Sequence, residues 1–279
     1  VVADAPMALS IHTDIDGDVW SLNGHHLGPI RATREPGLAT ARCSTVESGV
    51  DIVVAAAWRV NGRPAVMGPG DAVTITTAMA VASSNDDDVP FGPLERAFHS
   101  AETAIDAGYR ESLERSADRW ADFWDTADVV IDGDDVALAA QAALRFSIWH
   151  NRIAAPAHTD RLPIGARGLS CQAYQGAAFW DQEMFNLPAF LHTAPDIARN
   201  ILVYRWRTLD GARRKARRLG YEGAFYAWIS GTSGDELCPD FFFDDVITGR
   251  PIRNHFNTWQ MHVSPDIAIT VDRYWDATG

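Results

Sequence analysis

The chain has 279 residues, of which 47% are hydrophobic, so it is long enough for one large or two ordinary domains with a well-packed core. Its formal net charge is −13 and its pI is near 5.0, which argues against nucleic acid or an anionic membrane surface as a partner. We therefore expect a soluble globular protein with neutral ligands.

The first part of the chain, over residues 5–82, has the alternating pattern of β-strands. In residues 73–81, larger side chains alternate with smaller ones, as in a half-buried strand. The larger side chains are those of Val73, Ile75, Thr77, Met79 and Val81. Residues 61–62 (NG) predict a tight hairpin and residues 68–71 (GPGD) the next turn. We predict that residues 1–92 form the C-terminal portion of an antiparallel β-sandwich.

A polar break and a helical region follow. Residues 83–88 (SSNDDD) predict a solvated loop and not a calcium site, because they lack the glycine and the terminal glutamate of a calcium loop. The apolar period then becomes that of a helix, from Pro93 to Trp124. We predict a helical linker over residues 93–133.

The second half of the chain is predicted to be nearly all helical. Residues 132–134 (DGD) are expected to cap a strong helix from Val136 to Ala154, which Pro156 stops. Further helices are expected over residues 179–192, 195–209, 211–219 and 265–274. Their expected capping residues are Thr193, Asp210, Gly220 and Ser264 with Pro265.

The sequence suggests no metal site and no organic cofactor. Cys43, Cys171 and Cys238 are far apart without CxxC spacing, so we expect small buried residues, not a disulfide framework or a zinc site. His25 and His26 lack the spacing of metal ligands and are expected at a turn or on the surface.

Two other features are expected to carry no specific function. The cations within residues 213–218 (RRKARR) are interpreted as a solvated helix face. No apolar run has the length of a transmembrane helix and no export signal is visible, which favours the cytoplasm.

Residues 173–183 (AYQGAAFWDQE) combine aromatic rings and two carboxylates around a glycine. A sugar needs an apolar plate for the C–H face of its ring and strong acceptors for its hydroxyls. The alternative is an ordinary helix core around Phe179 and Trp180. That alternative does not explain Asp181 and Glu183, because a buried carboxylate without partners is costly. The pattern favours a polar-ligand site over a satisfied core acid by a small margin.

Two further segments are candidates for the same site. Residues 227–236 (AWISGTSGDE) place small polar residues between Trp228 and Glu236, as in a binding loop, although a plain solvent loop fits the spacing equally well. In an α-helical barrel such loops converge at one end, so this loop and the Trp180 segment could face one pocket. His262 lies ahead of the last predicted helix, where a lone histidine is more often a packing residue than a catalyst.

Several collinear motifs resemble the catalytic domain of glycoside hydrolase family 65, over roughly residues 118–279. They are 162–169 (LPIGARGL), 174–176 (YQG), 179–183 (FWDQE), 197–205 (IARNILVYR), 220–224 (GYEGA) and 262–268 (HVSPDIA). The family contains inverting phosphorylases for maltose, trehalose and kojibiose, and hydrolases such as acid trehalases. The resemblance implies a β-sandwich, a helical linker and an (α/α)6 barrel, of which residues 134–279 would be the first part.

The resemblance also implies site residues. Trp180 and Asp181 would line the subsite for the non-reducing glucose, with Trp228 from the following loop. Glu183, Glu236 and His262 complete the substrate-binding candidates. Two positions depart from the family pattern: Ile229 stands where members commonly have a glutamate, and Gln260 where many have an acid.

The catalytic residues are not identified. In the family the general acid lies in a Gly-Pro-Asp-Glu-Tyr type motif well downstream of the histidine motif, so it is expected beyond Gly279. Asp235 and Glu236 could replace it, but only their proximity supports this. We expect the chain to be part of a longer enzyme and inactive alone.

The resemblance predicts an inverting enzyme that cleaves an α-linked glucose disaccharide such as trehalose or kojibiose. Cleavage could be by hydrolysis, or by phosphorolysis with inorganic phosphate as co-substrate. The rival is a non-catalytic carbohydrate-binding or degenerate fragment that lacks the general acid. A homodimer with the β region as its contact is left open.

Overall fold

The structure of the chain is a computed structural model that describes residues 2–17, 25–62, 66–86, 91–169 and 173–279. It contains two compact units, Val1–Phe123 and Trp124–Gly279. The domain boundaries expected after residues 92 and 133 stay predictions, and Cys171 lies outside the described residues. Within the described ranges, no helix has both the length and the apolar character that a membrane crossing requires.

The first unit contains an antiparallel sheet of four strands in sequential order. The strands are β1 (Arg31–Glu35), β2 (Leu38–Ser44), β3 (Asp51–Asn61) and β4 (Thr74–Ser83). Among the described residues of this unit, this is the one sheet with several strands. The predicted antiparallel strands are therefore confirmed, and the second layer of the sandwich stays a prediction.

The hairpin predicted at residues 61–62 is wrong. Strand β3 ends at Asn61, which pairs with Thr74 of β4, so the connection runs through residues 62–73. The long ladder between β3 and β4 determines this pairing, and the local turn signal does not. The turn predicted at residues 68–71 is confirmed by an N–H···O bond of 3.1 Å between its ends.

Helix α1 (Pro93–Ala127) covers one face of the sheet. Strand β4 alternates as predicted, but its small side chains face the core, because alanines allow a helix to lie close to a sheet. The alanines at positions 78, 80 and 82 pack with Ala97, Ala101 and Ile105. The larger Met79 and Val81 are 63% and 69% exposed on the opposite face.

Helix α1 confirms the predicted helix from Pro93 and extends it by one turn. Its backbone breaks at Gly108, where φ is 80° and ψ is 171°. This conformation is essentially restricted to glycine. The helix therefore kinks at Gly108, and this glycine is the sign of the kink in the sequence.

The second unit is mainly helical, as predicted, while the closed (α/α)6 barrel stays a prediction. Its helices are α2 (Asp135–Ala154), a 3₁₀ turn (Ala173–Gly176), a π-helix (Gln182–Asn186), α3 (Leu187–Thr193), α4 (Pro195–Arg207), α5 (Leu209–Arg218), α6 (Phe256–Trp259) and α7 (Val263–Thr278). A hairpin of β5 (Phe241–Asp244) and β6 (Pro251–Arg253) precedes α6. The core of this unit lies around Leu187, Phe190, Ile197 and Ile201.

Two predicted helix ends are confirmed. The side chain of Asp134 accepts hydrogen bonds from the N–H groups of residues 136 and 137, at 3.1 and 3.2 Å. Gly220 follows α5 with φ 85°, and its N–H donates to the carbonyl of Arg217 at 3.1 Å. Both arrangements satisfy backbone groups that a helix end leaves unpaired.

Three predicted caps are wrong, because the helices begin or end at other residues. Thr193 lies in the last turn of α3 and donates to the carbonyl of Ala189 at 2.6 Å. Asp210 is inside the first turn of α5 and pairs with Arg213 at 3.0 Å. Ser264 is likewise inside α7. In each case the helical backbone runs past the capping side chain.

Candidate functional site

The two predicted sugar-binding segments lie side by side and are joined by one antiparallel bridge. The N–H of Ala178 donates to the carbonyl of Ser230 at 2.8 Å, and the N–H of Ser230 donates back to Ala178 at 3.0 Å. This antiparallel bridge places Phe179 and Trp180 beside the loop that carries Trp228. The structure therefore brings together two segments that are about fifty positions apart in the sequence.

Aromatic rings connect the segments further. The ring of Phe179 lies edge-on to the indole of Trp228, with centroids 5.2 Å apart, and Trp228 also contacts Phe256 at 4.5 Å. The indole of Trp180 lies edge-on to His262, at 4.8 Å. Contacts within the second unit thus connect all three predicted segments.

Hydrogen bonds hold the imidazole of His262 in place. Its Nδ1 lies 2.8 Å from a carboxylate oxygen of Asp266, and its Nε2 lies 2.7 Å from Oε1 of Gln260. Both ring nitrogens are thus engaged, and the ring plane lies at 80° to the indole of Trp180. This geometry suits a residue that supports the indole better than one that binds a ligand through its nitrogens.

Asp181 differs from the other predicted acids. It is half-buried and directly precedes the π-helix, but its side chain caps no backbone N–H. Among the described residues it takes part in none of the ion pairs. A half-buried carboxylate beside an indole is a strong acceptor for a donor that a ligand supplies.

Glu183 forms a fully buried ion pair. Its oxygens accept from Nε and Nη2 of Arg205, at 2.7 and 2.8 Å, and the two side chains are 0% and 2% exposed. Burial alone lowers the pKa of the Arg205 guanidinium, but the charge and hydrogen bonds of Glu183 outweigh burial and raise it. The carboxylate of Glu183 therefore lies behind the site, where it cannot touch a ligand in this arrangement.

Arg205 also binds both predicted segments. Its Nη2 donates to the carbonyl of Phe179 at 2.9 Å, and its Nη1 donates to the hydroxyl of Ser230 at 3.2 Å. The neighbouring Tyr204 donates its hydroxyl to the carbonyl of Gly231 at 2.6 Å. Helix α4 thus fixes the Trp180 segment and the Trp228 loop relative to each other.

Glu236 is equally buried and is paired with Lys215, with side-chain exposures of 2% and 1%. The interpretation of residues 213–218 as a solvated face is therefore wrong for Lys215, although its neighbours Arg213 and Arg214 are exposed. Lys215 lies on the small-residue face of α5, where residues 211, 212 and 216 are also buried. Alanine and glycine neighbours leave room for its long side chain.

Sequence reasoning missed that Arg205 and Lys215 are buried in ion pairs. A signal for Arg205 was present: residues 197, 198, 201 and 204 form the apolar face of α4, and Arg205 continues it. A charged residue on an apolar helix face implies a buried partner.

A cavity of about 670 Å³ lies next to the Trp180 segment. It is bounded by α2, residues 164–168 and the start of α3, and Phe185 is part of its wall. The ring of Phe185 is 5.3 Å from that of Trp180. Trp180 therefore contacts a residue of the cavity wall, and neither Trp180 nor Asp181 lines the cavity.

Comparison with known proteins gives a consistent result. Residues 145–279 match the central catalytic domain of glycosyl hydrolase family 65. A 1,2-alpha-glucosylglycerol phosphorylase of Bacillus selenitireducens is 48% identical across 100% of this chain, which covers 38% of that protein. A nigerose phosphorylase of Lachnoclostridium phytofermentans is 45% identical over 63% of this chain and 23% of its own length.

A kojibiose phosphorylase of Halothermothrix orenii is 39% identical over 70% of this chain and 25% of its own length. A solved structure, named as a candidate kojibiose phosphorylase from the human microbiome, superposes with a TM-score of 0.69 at 18% identity. The superposition covers 88% of this chain and 32% of the chain of that structure. At this identity it supports the fold alone. The chain spans less than two-fifths of the length of each of these relatives.

Proposed function

The chain belongs to glycoside hydrolase family 65, and we propose that it supplies the glucose-binding part of an α-glucoside phosphorylase. One observation carries the proposal. One antiparallel bridge joins the Trp180 segment to the Trp228 loop, the indole of Trp180 contacts the ring of His262, and the half-buried Asp181 directly follows Trp180. The family match includes all four residues.

These residue types suit a pyranose. An indole presents an apolar face to the C–H groups of the sugar ring. Asp181 accepts a hydrogen bond from a sugar hydroxyl, which is stronger to a carboxylate than to a neutral acceptor. His262 supports Trp180, while Glu183 and Glu236 hold the backbone behind the indoles. The six predicted residues thus divide into three that contact the sugar and three that position them.

Phosphorolysis is preferred to hydrolysis, because the relatives named above are phosphorylases. In an inverting reaction, phosphate attacks the anomeric carbon opposite the scissile bond while an acid protonates the glycosidic oxygen. The bond from the anomeric carbon to the glycosidic oxygen breaks, a bond to a phosphate oxygen forms, and β-glucose 1-phosphate results. Inorganic phosphate is the proposed co-substrate, and the general acid expected beyond Gly279 stays a prediction.

An α-1,2-linked glucoside is the proposed substrate. The relative that is 48% identical over the whole chain is named for 1,2-alpha-glucosylglycerol, and kojibiose carries the same linkage between two glucose units. We propose glucosylglycerol first and kojibiose second, ahead of trehalose.

The test is to supply each of these three glucosides to the full-length protein, with and without inorganic phosphate, and to measure β-glucose 1-phosphate and free glucose. Phosphate-dependent release of β-glucose 1-phosphate supports the proposal. Equal release of glucose in both buffers identifies a hydrolase. Glucose binding without any cleavage supports the non-catalytic alternative, and absence of glucose binding overturns the sugar site itself.

A further inference from the structure

One carboxylate closes the loop that carries Trp228. Oε2 of Glu236 accepts from the N–H of Trp228 at 2.9 Å, and Oε1 accepts from the N–H groups of Ile229 and Cys238 at 3.0 and 3.1 Å. Nζ of Lys215 donates to Oε2 at 2.7 Å. Three backbone donors and one ammonium therefore converge on a single side chain.

Lys215 is enclosed by the same part of the fold. Its Nζ also donates to the carbonyl of Tyr226 at 3.3 Å and lies 4.1 Å from the ring centroid of Phe225. Burial lowers the pKa of the Lys215 ammonium, while the charge of Glu236 opposes that shift. Removal of the lysine would leave a buried carboxylate without its counter-charge, which is strongly unfavourable.

One of these bonds reaches the residue that forms the proposed sugar plate. The carboxylate accepts a hydrogen bond from the backbone N–H of Trp228 itself, and the indole of Trp228 contacts the rings of Phe179 and Phe256. A shift of this backbone would change the orientation of the indole. The ion pair therefore controls a side chain that it does not touch.

On the basis of the sugar-binding function proposed above, we propose that Lys215 is a positioning residue. Through Glu236 it sets the orientation of the Trp228 indole that receives the glucose ring. Lys215 and Glu236 themselves contact no sugar.

The experiment uses the whole chain labelled with 5-fluorotryptophan, and the Trp228 resonance is assigned by its loss in the Trp228→Phe variant. Lys215→Met is compared with Arg214→Met in ¹⁹F spectra, first without ligand and then during titration with D-glucose. Arg214 is the matched control, because it directly precedes Lys215 in the same helix and pairs at 2.7 Å with Asp235 of the same loop, whose side chain is about half exposed. Far-UV circular dichroism checks that each variant is folded.

We expect Lys215→Met to move the Trp228 resonance without ligand and to raise the dissociation constant for glucose by at least about tenfold. Arg214→Met should leave both unchanged. Glu236→Gln keeps one acceptor oxygen, so it should move the Trp228 resonance and weaken glucose binding to an intermediate degree. If Lys215→Met unfolds the chain, this variant tests the connection between the ion pair and Trp228 in its place. An unmoved Trp228 resonance in both folded variants overturns the proposal. A moved resonance in a chain that binds no glucose supports the positioning and contradicts the proposed function, so the two failures are distinguishable.

Discussion

Replacing Arg205 by methionine is expected to destabilise the second unit strongly. The guanidinium makes four hydrogen bonds, two to Glu183 and one each to Phe179 and Ser230. Methionine fills much of the volume but leaves the carboxylate of Glu183 buried without a counter-charge. Breaking a buried ion pair from one side costs about 3–5 kcal/mol.

The assay is urea unfolding followed by tryptophan fluorescence, with Arg207→Met as the matched control. Arg207 is two positions further along α4, and its partially exposed side chain pairs with Asp160 at 2.8 Å. An exposed pair contributes at most about 1 kcal/mol, so the control should stay close to the native stability.

The double variant Arg205→Met with Glu183→Met tests the cause. It removes both charges together, so it should be less destabilised than Arg205→Met alone. A loss below about 1 kcal/mol in Arg205→Met would refute the reasoning, and so would a double variant that is less stable than the single one.

Three further predictions address the ligand, the kink and pH. Asp181→Asn should weaken glucose binding by about tenfold or more in calorimetry, since a hydrogen bond to a charged group contributes about 1.5–3 kcal/mol. The control Asp196→Asn, at an exposed position, should not change the affinity. Equal affinities of Asp181→Asn and the native chain would show that Asp181 does not bind the sugar. Gly108→Ala should lower the unfolding free energy of the first unit by about 1–3 kcal/mol, because its φ of 80° with ψ 171° disfavours a side chain; unchanged stability in urea would mean that the backbone relaxes without cost. Burial raises the pKa of the Tyr204 phenol above its ordinary value of 10.0. The unfolded chain therefore loses this proton first, so stability should fall as pH rises from 10.0 towards the raised value, and Tyr204→Phe should show a shallower decline over that range.

Helix positions followed from the sequence where local chemistry decides them. Asp134 and Pro156 delimit α2, and Gly220 ends α5 with a left-handed residue. The caps assigned to Thr193 and Asp210 failed because residues that resemble caps also occur inside helices, where they bond to other groups. Capping chemistry identifies an end only when the backbone stops there.

Contacts between distant residues were not predictable in this way. The pairing of Asn61 with Thr74 depends on the whole β3–β4 ladder, so the turn signal at residues 61–62 was misleading. The charges next to Lys215 predict an exposed side chain, although Lys215 is buried in an ion pair with Glu236, about twenty positions away. The sequence selected segments that the structure brings into contact, and only the structure separated the half-buried Asp181 from the fully buried Glu183.

A crystal structure of the chain with bound D-glucose tests the central claim most directly. We expect the C–H face of the sugar against the indole of Trp180 or Trp228, with a hydroxyl within hydrogen-bond distance of the Asp181 carboxylate. Glucose bound elsewhere, or an Asp181 carboxylate that makes no contact with it, would contradict the account.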